Sequence, residues 1–509
     1  MKRHLTILCL LFFIGITTAT THIAYSLPTD ENTSLQLSAI YTNHMVIQRQ
    51  KPFIVRGTAD AGTKITARLG KERRRTIATE DGTWQLTFKR REATRTPLTL
   101  TITDGDTILT LTDLLVGEVW LCSGQSNMAF MLRQSTEAQE HISAAPTKEI
   151  RIYDMRPHVY TDAIAWDSTS LDKLNRLDYY LPTTWQPLTT DNAPHFSAIA
   201  YHFGATLADS LDIPIGLICN AVGGAPIESF TDRYTQERHP ILADILTDWR
   251  HNERIQPWVR SRANQNMQLS THPQQRHPYE PCYLYEAGVV PIAGFPLRGV
   301  VWYQGESNAH NAELFEVQFP ALVHSWRTAW DDKSMPFHFV QLSSIARPTW
   351  PHFRDVQRRL AEEIPHCEMA VSSDHGDSLD VHPRHKRPIG ERLARIALHH
   401  DYGYEHLICS GPSIRSAERD GQSLILRFNH AHGMQSSDGQ PLRTFEIADE
   451  HGLYYPADEV EVQGNTIRLR SKYVSHPHSA RYGWQPFTRA NLINADRLPA
   501  STFEIIAKP

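Results

Sequence analysis

A chain of 509 residues is longer than one ordinary core supports, so two or three folding units are expected. Its 51 basic and 56 acidic side chains leave a net charge of -5, which gives no global field for phosphate backbones or anionic lipids and argues against a nucleic-acid partner.

The amino end reads as an export signal. Lys2 and Arg3 precede an apolar run over 5–16, and Ala24-Tyr25-Ser26 has the small-x-small pattern of a cleavage site. That run is shorter than the roughly 20 residues a bilayer span needs, and no later segment approaches that length. The expectation is an exported chain, periplasmic or secreted, with a signal over 1–26 and no transmembrane span. Cys9 follows the large Leu8 and lies too early for a lipid-anchored cysteine. Downstream, Cys122, Cys219, Cys282, Cys367 and Cys409 are odd in number and lack C-x-x-C spacing, so no disulfide framework is implied. Histidine pairs such as His399-His400 lack a partnered acidic or cysteine cluster, so they read as solvated surface groups and no metal or cofactor is expected.

Over 35–112, short β-branched stretches alternate with turns, and Asp81-Gly82 and Asp104-Gly105 supply the positive-φ residues of tight hairpins. This predicts a small β-sandwich. From residue 113 the rhythm changes: short apolar runs at 116–122, 215–220, 299–303, 337–342 and 369–372 read as strands buried on both faces of a parallel sheet. Phe196, Ile199, Ala200, Phe203, Leu207 and Leu211 follow a helical stripe, as do Val356, Leu360 and Ile364. A three-layer α/β domain over 113–410 follows. The 232–281 segment breaks the rhythm and is expected as an excursion at the rim of the sheet, where Trp249 and Trp258 either stack on a sugar ring or pack. Alternation returns beyond Cys409 and predicts a β-rich region over 411–509.

Chemistry concentrates at the ends of the buried runs. In Cys122-Ser123-Gly124-Gln125-Ser126-Asn127-Met128, a strand enters a turn, and Ser126 stands where a helix should begin. It is either a nucleophile at the carboxyl end of a parallel strand or an N-cap. It is not a Gly-x-Ser-x-Gly elbow, because Met128 takes the last glycine's place. In Asp380-Val381-His382-Pro383, residues at i and i+2 face one side, so Asp380 could orient His382, although surface Asp-x-His pairs are common. Asn220-Ala221-Val222-Gly223-Gly224 and Tyr303-Gln304-Gly305-Glu306-Ser307-Asn308 end two further strands with polar donors. An oxyanion site is the economical account of three such loops.

In this order, these motifs resemble the sialate O-acetylesterase family of SGNH hydrolases. Met45-Val46-Ile47-Gln48-Arg49, Gly117-Glu118-Val119-Trp120, Arg481-Tyr482-Gly483-Trp484 and Asn491-Leu492 extend the likeness over nearly the whole mature chain. The resemblance implies a flavodoxin-like parallel sheet and a serine esterase that removes O-acetyl groups from a sugar, most readily an O-acetylated sialic acid. It implies Ser126 as nucleophile, His382 as base and acid, and Asp380 as its orienter. It also implies an oxyanion hole from the N–H of Ser126, the N–H of Gly224 in preference to Gly223, and the side-chain amide of Asn308. Gln125, Gln304 and Glu306, in the same loops, are the candidate substrate contacts. Val222 stands where family members commonly carry Trp, which together with the 232–281 excursion leaves the sugar open. The rival readings are an esterase on acetylated xylan, xyloglucan or another glycan, and a non-catalytic glycan-binding protein.

Overall fold

The computed structural model describes residues 34–508, so the expected signal over 1–26 lies outside the described residues. Strands β1 (Phe53–Thr58), β2 (Lys64–Leu69), β3 (Glu72–Ile77), β4 (Thr83–Phe88) and β5 (Thr94–Thr103) form two facing antiparallel sheets. Alternation decides which side chains go inward: Phe53, Val55, Leu86 and Phe88 on one sheet, Ile65, Ala67, Leu69, Leu100 and Ile102 on the other. Asp104-Gly105 closes a hairpin as expected. Gly82 also takes positive φ, but its turn joins β3 to β4, which belong to different sheets, so no hairpin forms there.

Strand β6 (Ile108–Gly124) is 17 residues long and belongs to two neighbourhoods. Its first half pairs antiparallel with β5, and from Glu118 onward it pairs parallel with β8 (Ile215–Cys219) on one side and β9 (Gly299–Tyr303) on the other. Together with β7 (Ile150–Asp154), β10 (Phe337–Val340) and β11 (Met369–Ala370) it makes a parallel sheet of order β7-β8-β6-β9-β10-β11. The break expected at 112/113 falls inside this one strand. Glu118 is fully buried near its middle, held by Arg298 at 3.0 and 3.1 Å, by Gln48 at 2.8 Å and by Arg49, which explains the role of the Met45–Arg49 segment.

Helices cover both faces. On one, α1 (Ala198–Leu211) packs on α5 (Arg387–Tyr402): Trp120 meets Phe203 edge-on at 5.2 Å, and its indole donates to the Tyr402 hydroxyl at 2.9 Å. On the other, α3 (Ala312–Ala329) packs on α4 (Trp350–Glu363), with Phe319 against Phe337 and Phe339 and Phe315 against Phe353. The 232–281 excursion contains the helix α2 (Pro257–Asn266) and two shorter ones. The sequence reading did not single out β7 and α3.

Beyond residue 410 two four-stranded antiparallel sheets enclose a separate apolar cluster that includes Leu424, Phe428, Phe445, Ile467 and Phe503. Arg354 of α4 fastens this region. It is fully buried and donates to the carbonyls of Gly483, Gln485 and Pro486 and to the Thr502 hydroxyl, all within 3.0 Å. Among the described residues, no helix is long and apolar enough to cross a membrane.

Candidate active site

In a parallel sheet the carboxyl ends of all strands open on one rim, and the order reverses where β6 lies between β8 and β9. The three motif loops leave those adjacent strands. Gly124 ends β6 at φ +135, and a methyl group there would stand 2.1 Å from the Tyr303 carbonyl oxygen, so only glycine lets β6 close against β9. The chain then turns at Gln125, whose N–H donates to that carbonyl at 2.9 Å, and Ser126 opens a one-turn helix, Ser126–Ala129. Gln125 does not cap it with its side chain; its Oε1 instead accepts the N–H groups of Gly305 and Ser307 at 3.3 Å.

The β8 loop approaches from the other side. A methyl group on Gly223 would come 3.9 Å from Cβ of Ser126. Gly224 takes φ +70 under the ring of Trp258 and the Tyr279 hydroxyl, leaving no room for a side chain. The Gly223 carbonyl is pinned by Tyr279 at 2.8 Å and Thr161 at 2.9 Å, and the Gly224 carbonyl by Ser307 at 2.9 Å. The N–H groups of Ser126, Gly223 and Gly224 meet no acceptor among the described residues, which leaves them free for an anionic oxygen.

Asn308 does not fit the role that resemblance implied. It is 2% exposed, and its amide nitrogen already donates to Glu228 at 2.9 Å and Gln318 at 3.1 Å. Its Oδ1 accepts from Ile227 N–H at 3.0 Å and Gln304 Nε2 at 2.6 Å. With both amide hydrogens used, it has none for an oxyanion; it anchors the β9 loop to the β8 loop. Gln304 and Glu306 are buried as well. Gln304 Nε2 holds Asn308 and the Ala225 carbonyl, and Glu306 Oε1 accepts from Asn127, so both are tied into the loops, while Gln304 Oε1 and Glu306 Oε2 meet no hydrogen-bond partner among the described residues.

His382 reaches the rim from the loop after β11. Its ring stacks on Phe130 with centroids 6.5 Å apart, and its Nε2 is buried with no hydrogen-bond partner among the described residues. Asp380 accepts the His382 backbone N–H at 2.8 Å, while its carboxylate lies 3.8 Å from the ring Nδ1, beyond hydrogen-bond length. Burial, then the charge of Lys386, push the His382 pKa below its usual value against the pull of Asp380.

Lys386 is the residue that sequence reading missed. Between His385 and Arg387 it looks like a member of a solvated basic run, yet it is buried. Its ammonium donates to Asn127 Oδ1 and sits 4.7 Å from the Phe130 centroid. Burial pulls its pKa down to about 7, and burial raises that of Glu306. Asn127 joins the two, since its amide nitrogen donates both to Glu306 and, at 2.9 Å, to the Val381 carbonyl beside His382.

The excursion contributes the rim. Trp249 packs inside, 9% exposed, against His277, whereas Trp258 is 44% exposed over Gly224. Val222, the departure from the family pattern, is buried and donates its N–H to the Gly124 carbonyl. At the opposite end of the sheet, the pair His399-His400 does have a cysteine beside it. Cys409 Sγ lies 3.5 Å from His400 Nε2, and the ligand-type atoms of the three residues fall within 4.8 Å of one another, a donor set of the kind that holds a metal. The chain's return after α5 makes this group, which pair spacing could not reveal. All five described cysteines are buried and free.

A profile of the carbohydrate esterase, sialic acid-specific acetylesterase family matches residues 267–399, a span holding the Gln304–Asn308 loop and Asp380-x-His382. The chain is similar to sialate O-acetylesterase of Mus musculus, 29% identical over 412 residues and 73% of each chain. It is also similar to that of Homo sapiens, 26% identical over 498 residues, covering 88% of this chain and 87% of the relative. Among solved structures, a carbohydrate acetylesterase from Xanthomonas citri superposes with a TM-score of 0.76 at 28% identity, covering 92% of this chain and 99% of that one.

Proposed function

As a relative of the sialate O-acetylesterases this chain is a carboxylic ester hydrolase, and we propose that it is an SGNH-type serine esterase removing O-acetyl groups from sialic acids. The observation that carries the reading is the convergence of the β6 and β8 loops on Ser126, with free N–H groups on both, while Asn127 beside Ser126 holds the carbonyl of Val381 next to His382, whose Nε2 meets no partner among the described residues.

Ser126 Oγ attacks the acetyl carbonyl as His382 Nε2 takes its proton. The N–H groups of Ser126 and the Gly223-Gly224 turn hold the developing oxyanion, and the sugar alcohol leaves with the proton from His382. Water repeats the cycle on the acetyl-enzyme. Asp380 acts from 3.8 Å through its charge. The same reading assigns three layers to the parallel-sheet region, an amino-terminal sandwich that shares β6 with the catalytic region, and a β-rich region over 411–509, in an exported chain.

Ser126→Ala should abolish acetate release from both 4-nitrophenyl acetate and an O-acetylated sialoside, and a fluorophosphonate should label Ser126 alone. Full turnover by the alanine variant, or labelling elsewhere, would remove Ser126 from the mechanism.

A further inference from the structure

An ester at Ser126 places its sugar against whatever surrounds the Gly223-Gly224 turn, and helix α2 stands there. Trp258 in its first turn lies over Gly224 and leaves 44% of its surface open. One turn later, Arg262 sits with its guanidinium carbon 5.3 Å from the Trp258 ring. Its Nη1 donates to the Thr161 carbonyl at 2.6 Å, and the Thr161 hydroxyl in turn donates to the Gly223 carbonyl. The guanidinium is thereby fixed relative to the turn beside Ser126.

Arg262 is half-buried, its Nε and Nη2 meet no protein acceptor, and no carboxylate among the described residues pairs with it. The neighbouring Asp162 is exposed and outside ion-pair range. A preorganised fork with open nitrogens is the group that binds a planar carboxylate in two places, and the part of the indole that Arg262 and Tyr279 leave open offers apolar contact to a sugar ring. Neutral acetylated glycans offer the fork hydroxyl acceptors but no charge to pair.

We propose that Trp258 and Arg262 form the sugar subsite, with the ring against the indole and the guanidinium pairing the carboxylate of an acidic O-acetylated sugar. The assignment rests on the esterase reading above and adds what selects the substrate. The mature enzyme is assayed on an O-acetylated sialic acid methyl glycoside, on its carboxyl methyl ester and on 4-nitrophenyl acetate. Wild-type enzyme should favour the free acid over the methyl ester. Arg262→Gln should lower that ratio of kcat/KM by about tenfold or more through KM, in line with a hydrogen-bonded charge, and Arg262→Lys should fall between. Trp258→Ala should lower kcat/KM on both sugar forms more than on 4-nitrophenyl acetate.

Equal losses on acid and ester in Arg262→Gln, at unchanged melting temperature, overturn the subsite. So does an acid-specific loss seen only in Arg347→Gln, the exposed arginine on the His382 side that also lacks a carboxylate partner among the described residues. If wild-type enzyme cleaves 4-nitrophenyl acetate but neither sialoside, the sialic acid reading itself fails and this assignment with it.

Discussion

Asn127 donates its side-chain amide to the carbonyl of Val381 across 2.9 Å, so the residue after the candidate nucleophile holds the residue before the candidate base. The two loops come from opposite ends of the parallel-sheet region in sequence, and this bond sets their spacing. Asn127→Ala should slow turnover roughly a hundredfold, the scale of a misplacement of about 1 Å, with KM little changed. It also leaves Glu306 and Lys386 without their shared partner, at about 1–3 kcal/mol of stability. Kinetics and melting of one preparation measure both, and a destabilised variant with native turnover would reduce Asn127 to a structural tie.

The acid limb of kcat/KM follows from the surroundings of His382. The base must be neutral, and burial with the Lys386 charge lowers its pKa, so activity should persist below the usual histidine midpoint of 6.5. Lys386, held at about 7, is still protonated where His382 titrates. Lys386→Met removes that positive neighbour and should move the midpoint toward higher pH. A midpoint that stays put or moves to lower pH would mean that Lys386 does not set the base.

Asp380→Asn should cost less than the roughly 10⁴ of the serine-protease template. The carboxylate binds the His382 backbone N–H and reaches the ring only at 3.8 Å, so it supplies charge and loop shape more than a tautomer-fixing bond. We expect turnover to fall by about 10- to 100-fold with a small rise in KM. A loss as large as that of the protease template would show that the ring bond closes during turnover.

Asn308→Ala should lower the melting temperature while the folded enzyme keeps its turnover within severalfold. Removing a buried amide that serves Glu228, Gln318, Gln304 and Ile227 costs about 1–3 kcal/mol per group left unpaired. If turnover instead falls by about a hundredfold or more at unchanged stability, Asn308 returns to the oxyanion site.

The parallel sheet was legible because strands buried on both faces read as continuous apolar runs, as β6, β8 and β9 do. Strand β7 escaped notice, since Ile150-Arg151-Ile152-Tyr153-Asp154 carries charges that are satisfied only in the folded chain; Arg151, for instance, pairs with Asp113 at 2.6 Å. The catalytic motifs were legible as strand-to-loop transitions, but their internal bonding was not. Asn308 and Glu306 look like exposed loop residues in sequence, but the β9 loop meets the β8 loop at Asn308 and the β6 loop at Glu306, and both are buried. Lys386 was hidden for the converse reason, because a basic residue among basic residues gives no sign of which one turns inward. The excursion could be placed at a rim from composition, whereas the separation of Trp249 from Trp258 needed the packing itself.

Because β6 serves two sheets with one backbone, trimming this enzyme for expression is constrained. A chain begun at residue 113 would lose Gln48 and Arg49, leave Glu118 with Arg298 alone, and open Leu114, Leu115 and Val116 to water. Such a fragment should aggregate rather than report reduced catalysis. The place to shorten or exchange parts lies near residue 410, where one apolar cluster ends and another begins, provided the carbonyls that Arg354 gathers are replaced.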